Sequence, residues 1–161
     1  MDMKHLSKTQ KLTLSGAVMA IYIVVMYFTQ SFAFGQYQVR IATAIYAVAY
    51  LFPFLVVPLG LSNMIANMVM GGLGFFDIVG GCIVGWLTAG CCALLGRRKI
   101  TSWAIIAPVT LIPALVVPIW LSGLINVPYI ALAGSLLVGQ LISGVIGALL
   151  VRALRNIWKE L

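Results

Sequence analysis

Long apolar stretches, separated by short polar or glycine-rich segments, cover most of this chain. A helix that crosses the hydrocarbon core of a bilayer needs about 20 apolar residues, within a range of about 17–25. The stretches 12–34 and 75–95 each have such a length, and a longer apolar tract over 103–150 is broken near Asn126-Val127-Pro128. The pattern therefore predicts several membrane-spanning helices and little structure in water.

Basic residues settle how many spans the ambiguous regions contain. They form three clusters at the edges of apolar stretches: Lys4, Lys8 and Lys11; Arg97, Arg98 and Lys99; and Arg152, Arg155 and Lys159. Clusters of this kind stay on the cytoplasmic side of a membrane, so an even number of spans must separate one cluster from the next. The apolar segment between Arg40 and Met70 then contributes two short helices, joined between Pro53 and Pro58. The tract after Lys99 contributes two more.

The count gives an all-α integral membrane protein with six transmembrane helices, in one transmembrane domain over 1–161. A short cytoplasmic N-terminal leader is expected over 1–11, and both termini are expected in the cytoplasm. The expected spans are about 12–34, 40–53, 55–70, 75–95, 103–125 and 129–151. The two helices between 40 and 70 are short, so we expect them to be tilted or partly re-entrant and to form a cavity wall.

Composition agrees with lipid as the solvent and narrows the range of partners. Hydrophobic residues make up 63% of the chain and charged residues only 8%, whereas a soluble domain carries roughly 25% charged residues. A net charge of +7 would suggest nucleic acid in a soluble protein. Here the basic residues lie at membrane edges, so we expect the lipid bilayer as a partner and no nucleic acid. Cys82, Cys91 and Cys92 lie in one apolar segment, which predicts packing rather than a metal site.

Two charged residues fall on the outer side of the predicted bundle and are candidate ligand-binding groups. Asp77 is the only acid in the membrane region. A carboxylate at bilayer depth costs roughly 2.5–3.5 kcal/mol on insertion scales, which favours a function for it. Arg40 is the only cation outside the three clusters. The alternatives are structural: Asp77 caps the helix that follows Gly74, and Arg40 anchors a helix end at the interface.

Uncharged polar and aromatic residues extend the candidate site. Asn63 and Asn67 are four residues apart and therefore share one face of a helix. They bind either a ligand with donor and acceptor edges or a neighbouring helix. The further candidates for substrate contacts are Tyr37, Asn126, Tyr129 and Gln140. Tyr46, Tyr50 and Trp120, together with Tyr37, can stack on a flat ligand, although aromatic residues also form the belts at membrane interfaces.

The first helix carries a pair of small residues, and the sequence lacks the motifs of an enzyme. Gly16 and Ala20 are spaced for close helix contact near the cytoplasmic end, where a partner can dock. The sequence has no nucleotide-binding loop, acid–base pair or metal cluster, and His5 is its only histidine. We therefore expect no enzyme, no cofactor and no metal. Energy for any active transport must come from a partner.

Two segments carry a resemblance to a known family. In the first, Gln38-Val39-Arg40-Ile41 precedes an apolar helix with Pro53 and Pro58. In the second, Ala66-Asn67-Met68 leads into Gly71-Gly72-Leu73-Gly74 and then Asp77-Ile78-Val79-Gly80-Gly81. In these residues the chain resembles the QueT family, the substrate-binding S components of energy-coupling factor (ECF) transporters that are assigned to queuosine precursors. The resemblance covers nearly the whole chain and is strongest over 38–89.

The resemblance implies a fold, a substrate and partners. It implies an S-component-like arrangement of six helices in a bacterial plasma membrane, with an outward-facing site for a deazaguanine base or queuine. Gly16 and Ala20 match the motif with which S components meet a transmembrane coupling subunit, which in turn carries two ATPase subunits. One position departs from the family. An acid tends to stand three residues after the arginine of its motif, whereas this chain has Thr43, and that difference bears on the identity of the ligand.

Two other functions stay open at this point. An S component can serve another vitamin-like or purine-like molecule, and a small membrane scaffold protein would use the same polar residues for helix packing alone. A ligand that binds only the folded protein stabilises it by mass action. Ligand-induced thermal stabilisation of the purified protein therefore distinguishes a binding protein from a scaffold.

Overall fold

The computed structural model describes residues 6–33, 40–70 and 73–160, and every regular element in these ranges is helical. The α-helices in chain order are α1 (Lys8–Phe28), α2 (Gln30–Ala33), α3 (Val56–Val69), α4 (Phe75–Arg97), α5 (Ile106–Val116), α6 (Pro118–Ile125) and α7 (Tyr129–Glu160). Three further segments are 3₁₀ helices: Ile41–Tyr50, Pro53–Leu55 and Ser102–Ile105.

These elements group into six apolar helical stretches within the described residues. Four of them are long and apolar enough to cross a membrane: Lys8–Phe28, Phe75–Arg97, Ser102–Ile125 and Tyr129–Ile157. The other two, Ile41–Tyr50 and Pro53–Val69, are shorter and lie where the sequence predicts two short helices. The predicted fold class, an all-α membrane protein with six helices, is confirmed.

The first and fourth helices begin where the sequence supplies a start signal. Ser7 Oγ accepts from the Gln10 backbone N–H at 3.2 Å, and Gln10 Oε1 accepts from the Ser7 N–H at 2.8 Å. This reciprocal pair is a capping box, so α1 begins at Lys8, inside the segment expected to be a leader. α4 begins after Gly74, whose φ of +93° is a conformation that glycine adopts without a steric penalty.

The helix Ile41–Tyr50 is 3₁₀ over all 10 residues, although 3₁₀ runs longer than about 3–4 residues are uncommon. A 3₁₀ helix rises about 2.0 Å per residue instead of about 1.5 Å, so this segment spans roughly 20 Å and reaches further than an α-helix of equal length. Most of its side chains are buried, and it packs against both α4 and α7. Burial on two sides explains why such an uncommon helix persists.

The stretch Ser102–Ile125 is one span with a weak point at Pro118. Val117, between α5 and α6, has a helical φ of −57° and ψ of −42°, so the backbone does not leave the helical region there. Pro118 has no N–H and cannot bond to the carbonyl of Ala114. A second proline, Pro113, lies inside α5. Helix hydrogen bonding is therefore weakest where the span passes from α5 to α6.

Polar side chains lie inside the bundle, and many large apolar side chains lie outside it. Phe28, Phe76, Ile119 and Ile130 are examples of large apolar side chains that are mostly exposed. The buried polar or charged residues are Arg40, Thr43, Ser62, Asn63, Asn67, Asp77, Thr88, Ser102, Thr110, Gln140 and Ser143. Lipid can cover the exposed apolar surface, whereas each buried polar group needs a partner within the protein or a ligand.

The three basic clusters meet at one end of the bundle. Lys11 from the first cluster, Lys99 from the second and Arg155 from the third line one cavity there. Asp77 lies in the first turn of α4, whereas Lys99 follows the last turn of the same helix. The protein thus has a basic end and, at the far end of α4, the end that holds Asp77. The placement of the basic end in the cytoplasm stays a prediction.

Glycine allows α3 and α4 to come into backbone contact. A Cβ added at Gly85 would lie 2.9 Å from the Cα of Gly60, and 3.1 Å from the hydroxyl oxygen of Tyr46. Real Cβ atoms essentially never stand this close to backbone. Close approach of two helices through small residues is how helices associate in lipid, and here it fixes the separation of α3 from α4.

Gly85→Ala should lower the thermal stability of the purified protein, because the new methyl group meets backbone that cannot move aside. Overpacking of this kind costs typically about 1–3 kcal/mol. Gly90→Ala is the matched control on the same helix, since a Cβ at Gly90 has nothing within 4 Å. Thermal unfolding in detergent measures both variants. Equal stability of the two would contradict this packing of α3 on α4.

Candidate functional site

A small cavity lies inside the bundle, away from the basic end. It is lined by Arg40, Thr43, Asn63, Asp77, Gly81, Val84, Pro113, Val117, Trp120, Leu136 and Gln140. Its polar groups come from distant parts of the chain. The 3₁₀ helix Ile41–Tyr50 and helices α3, α4 and α7 each contribute at least one. The fold therefore gathers charged and amide side chains around one point in an otherwise apolar protein.

Two carboxamides of α3 are anchored to the backbone of α4. Asn63 Nδ2 donates to the Gly81 carbonyl at 2.8 Å, and Asn67 Nδ2 donates to the Asp77 carbonyl at 3.0 Å. Since a carbonyl oxygen can only accept, these contacts fix which way round each amide lies. The nitrogen of each amide holds α4, and the oxygen points elsewhere.

The Oδ1 atoms of Asn63 and Asn67 are buried and have no hydrogen-bond partner among the described residues. A buried acceptor that stays unsatisfied costs about 1–3 kcal/mol, so most such groups in proteins are paired. Asn63 lines the cavity. Its unsatisfied oxygen is the feature that a ligand with an N–H or O–H group would complete.

Asp77 is 3% exposed and has a donor close to each carboxylate oxygen. The Leu73 backbone N–H donates to Oδ2, and the Trp120 indole N–H donates to Oδ1, each at 3.3 Å. The contact with Leu73 lies at the start of α4, but it comes from the residue before Gly74, and Gly74 itself, the N-cap, has no side-chain hydrogen bond. The contact with Trp120 comes from α6. Both distances exceed the roughly 2.7–3.2 Å of ordinary N–H···O bonds, so a well-placed ligand donor can compete for this carboxylate.

The backbone carbonyl of Arg40 is tied to α7. The Ser143 hydroxyl donates to it at 2.9 Å, and the Thr43 hydroxyl is within hydrogen-bonding reach of the same oxygen. Thr43 Oγ1 also lies 2.9 Å from Gln140 Oε1. A hydroxyl has one proton, so Thr43 donates to one of these acceptors at a time. The network fixes the start of the 3₁₀ helix, and with it Arg40, beside Gln140.

Apolar groups form the rest of the cavity wall: Val84, Pro113, Val117, Leu136 and the ring of Trp120. The space at the centre is about 10 Å³, close to the minimum of roughly 10–15 Å³ that one water molecule needs. The cavity thus has the polar and apolar groups of a ligand site, but a heterocyclic ligand fits only after its walls separate.

The structure brings five of the eight predicted substrate-binding residues into one region. Arg40, Asn63, Asp77 and Gln140 line the cavity. Asn67 lies one helical turn from Asn63 and bonds to the backbone of Asp77. These five residues come from four parts of the sequence, and their convergence depends on the packing of α3, α4 and α7 around the 3₁₀ helix.

The other three predicted residues have different positions. The Tyr129 hydroxyl donates to the Leu115 carbonyl at 2.8 Å, and the residue is 40% exposed. Asn126 ends α6 in a left-handed conformation, which asparagine tolerates better than most residues, and it is exposed. Neither is among the described residues that line the cavity. Tyr37 lies outside the described residues.

The two candidate docking residues, Gly16 and Ala20, are exposed on α1. A Cβ at Gly16 would have nothing within 4 Å. They share an exposed stripe with Leu12, Val24 and Phe28, at a spacing of four residues. The opposite face of α1 is the one that packs inward. The stripe is therefore available to a partner within the membrane.

Trp120 and Thr43 have a larger part in the cavity than the sequence indicated. Trp120 was expected only as a possible stacking residue, but its N–H also reaches Asp77. A buried indole N–H needs an acceptor, and Asp77 is the only acid in the membrane region. The sequence therefore contains an indication that Trp120 pairs with Asp77. The sequence gives no indication of the apolar wall residues, because Val84 or Leu136 cannot be distinguished from lipid-facing neighbours in a uniformly apolar helix.

Comparison with known proteins places the chain in a family. The family described as QueT transporter matches residues 12–156, nearly the whole length. The chain belongs to the QueT transporter family. No curated protein and no solved structure matches it. The family match confirms the resemblance carried by the segments around Arg40 and between Asn67 and Gly81.

Membership of the QueT family gives the cavity a context. The family is one of transporters rather than enzymes, and a transporter needs a site where a polar solute leaves water inside an apolar protein. Buried charged and amide residues in membrane segments are candidates for such a site, because burying them is costly. In this QueT chain, the region around Asp77 is where the described residues meet that condition.

Proposed function

We propose that this QueT chain is the substrate-binding S component of an ECF-type importer, and that it binds a queuosine precursor, a deazaguanine base or queuine. The observation that carries the proposal is the cavity itself, where Arg40, Asn63, Asp77 and Gln140 converge on one buried point. The buried Asn63 oxygen at this point has no hydrogen-bond partner among the described residues, which supports a ligand rather than packing alone.

The charges of the cavity favour a neutral ligand. One cation, Arg40, and one carboxylate, Asp77, line it together with two amides. A phosphate group would gain from Arg40 but would be repelled by Asp77, and the described lining offers no second cation. A free base with N–H donors on one edge and a carbonyl on another matches this balance better than a nucleotide.

The hydrogen-bonding pattern favours a base with two neighbouring donors. A deazaguanine presents a ring N–H beside an exocyclic amine. A carboxylate can accept two parallel bonds of this kind, as it does from arginine. Among the groups that line the cavity, Asp77 and the Asn63 oxygen can accept from these donors. Arg40 and the amide nitrogen of Gln140 are the lining groups that can donate to the ligand carbonyl.

The shape of the cavity favours a flat ligand but requires an opening step. The Trp120 ring packs so closely on α4 that a Cβ on Gly80 would lie 2.7 Å from it. Trp120 is carried by α6, which begins at the weak point at Pro118 and has an exposed outer half. Movement of α6 would withdraw the indole from Asp77, free the carboxylate and leave a planar gap in which a base can stack.

Uptake further requires coupling to partners. The proposed partners are a transmembrane coupling subunit and two ATPase subunits, with the termini of this chain in the cytoplasm. The exposed stripe of α1 that contains Gly16 and Ala20 is the proposed docking surface. Because small residues let helices approach closely in lipid, a helix of the coupling subunit can pack directly on the α1 backbone.

Asp77→Asn should weaken binding of a deazaguanine base by at least about tenfold, because one acceptor becomes a donor that faces the donors of the ligand. Tyr129→Phe is the control, since it removes a hydroxyl that bonds outside the cavity and should leave the affinity unchanged. Calorimetry on folded protein, checked by its unfolding transition, measures both. An Asp77→Asn protein of normal affinity would remove Asp77 from the site and leave it as a helix cap.

Gly16→Leu should spare ligand binding and abolish uptake into cells, because a leucine separates α1 from the coupling subunit without touching the cavity. Gly134→Leu is the matched control. Its glycine also has nothing within 4 Å of a Cβ, but it lies on α7, away from the stripe. Uptake of labelled precursor and co-purification with the coupling subunit are the measurements. Normal assembly and uptake by Gly16→Leu would place the docking surface elsewhere.

A further inference from the structure

A second and larger cavity lies at the basic end of the bundle and has no part in the proposed binding of a base. Its volume is about 700 Å³, within the roughly 300–1,000 Å³ typical of small-molecule sites. It is lined by Lys11, Tyr50, Leu51, Phe52, Pro53, Phe54, Gly96, Lys99 and Arg155. Cations and aromatic or apolar groups therefore line the same cavity.

Close contacts fix the floor and one wall of this cavity. Gly96 faces the carbonyl group of Tyr50 so tightly that a Cβ there could not fit. The Tyr50 hydroxyl donates to the Ile100 carbonyl and ties down the chain that follows α4. Lys99 lies between these two contacts, in a left-handed conformation with a φ of 55°. The position of its backbone is thus set by the fold.

The charge of the cavity is positive and is not neutralised by the described acids. Lys11, Lys99 and Arg155 come from α1, from the turn after α4 and from α7. Among the described side chains Asp77 is the only acid, and it lies at the other end of α4, roughly 28 Å from Gly96 at 1.5 Å per residue. Three cations that line one space, with no acid among the described lining residues, raise its affinity for an anion.

Aromatic groups give the cavity an apolar side. The Lys11 ammonium lies 5.9 Å from the centre of the Phe54 ring, within the range of a cation–π contact, so that ring helps hold the charge at the opening. Leu51, Phe52 and Pro53 continue the apolar wall. A ligand that fits both sides carries an anionic group next to an apolar part.

We propose that this cavity binds the phosphate-bearing headgroup of an anionic phospholipid such as phosphatidylglycerol. The cations lie at the ends of membrane-spanning helices, which is the depth at which headgroups lie. Basic pockets between such helices are known to receive lipid headgroups, and each basic residue near the surface adds about 1 kcal/mol of attraction to anionic lipid. The apolar wall would receive the glycerol and the first carbons of an acyl chain.

The test compares two triple variants that remove the same charge from the same three clusters. Lys11→Gln, Lys99→Gln and Arg155→Gln together remove the cations that line the cavity. The control combines Lys8→Gln, Arg98→Gln and Arg152→Gln. These exposed residues stand in the same clusters but do not line the cavity. Detergent-solubilised protein is titrated with phosphatidylglycerol or phosphatidylcholine, and bound lipid is counted by native mass spectrometry.

The expected result is one tightly bound phosphatidylglycerol on the wild-type protein and on the control triple. The cavity triple should bind it at least about tenfold more weakly than the control triple, because the two triples lose the same general attraction of surface charge. Phosphatidylcholine should bind weakly to all three proteins. Equal losses in the two triples would show attraction to surface charge alone and overturn the proposal. If millimolar inorganic phosphate displaced phosphatidylglycerol from the wild-type protein, the proposal would also be overturned, and the cavity would be a site for a soluble anion. Unfolding transitions of both triples verify that each is folded.

Discussion

Two side-chain hydrogen bonds between α3 and α4 are the constraint on which the candidate site depends. Asn63 and Asn67 donate from one face of α3 to the carbonyls of Gly81 and Asp77, next to the contact of Gly60 with Gly85. A hydrogen bond between helices in lipid contributes about 0.6 kcal/mol on average. These two bonds therefore matter less for stability than for setting the position of α3 along α4. They bring Asp77 opposite Trp120 and leave the Asn63 oxygen at the cavity.

The 3₁₀ helix Ile41–Tyr50 connects the candidate site, α1 and the cavity at the basic end. At its start, Arg40 and Thr43 line the candidate site and are bonded to α7. In its middle, the Tyr46 hydroxyl lies 3.0 Å from that of Tyr22 on α1, and the two rings are stacked. Its last residue, Tyr50, stands at the basic cavity. One short, fully packed helix thus touches both cavities and the inner face of α1.

The sequence predicted the fold better than it predicted the site, and for physical reasons. Length of apolar runs and the placement of Lys and Arg are strong signals in lipid, so six helices follow from them. The polar residues Arg40, Asn63, Asp77 and Gln140 were found because such groups are rare and costly in membrane segments. Local signals were weaker: the 3₁₀ geometry of Ile41–Tyr50 depends on burial by α4 and α7, which no local pattern of the segment contains.

Tyr129 and Asn126 show the limit of the same reasoning. Both are polar and lie near the predicted outer end of the bundle, but each has a structural role away from the cavity. Tyr129 reaches the carbonyl of Leu115, and Asn126 ends α6. The cavity at the basic end is a feature that the sequence did not predict. Each basic cluster was read as a topology signal, and only the folded chain shows that one residue from each cluster meets the others in one space.

The proposed function is tested most directly by calorimetric titration of the purified wild-type chain with a deazaguanine base and with the corresponding phosphorylated nucleotide. We expect saturable binding of one base per chain and little or no binding of the nucleotide, because Asp77 lines the cavity and Arg40 is the one cation in the described lining. Absence of binding by any deazapurine base to folded protein, or binding of the nucleotide as tight as that of the base, would contradict the proposed function.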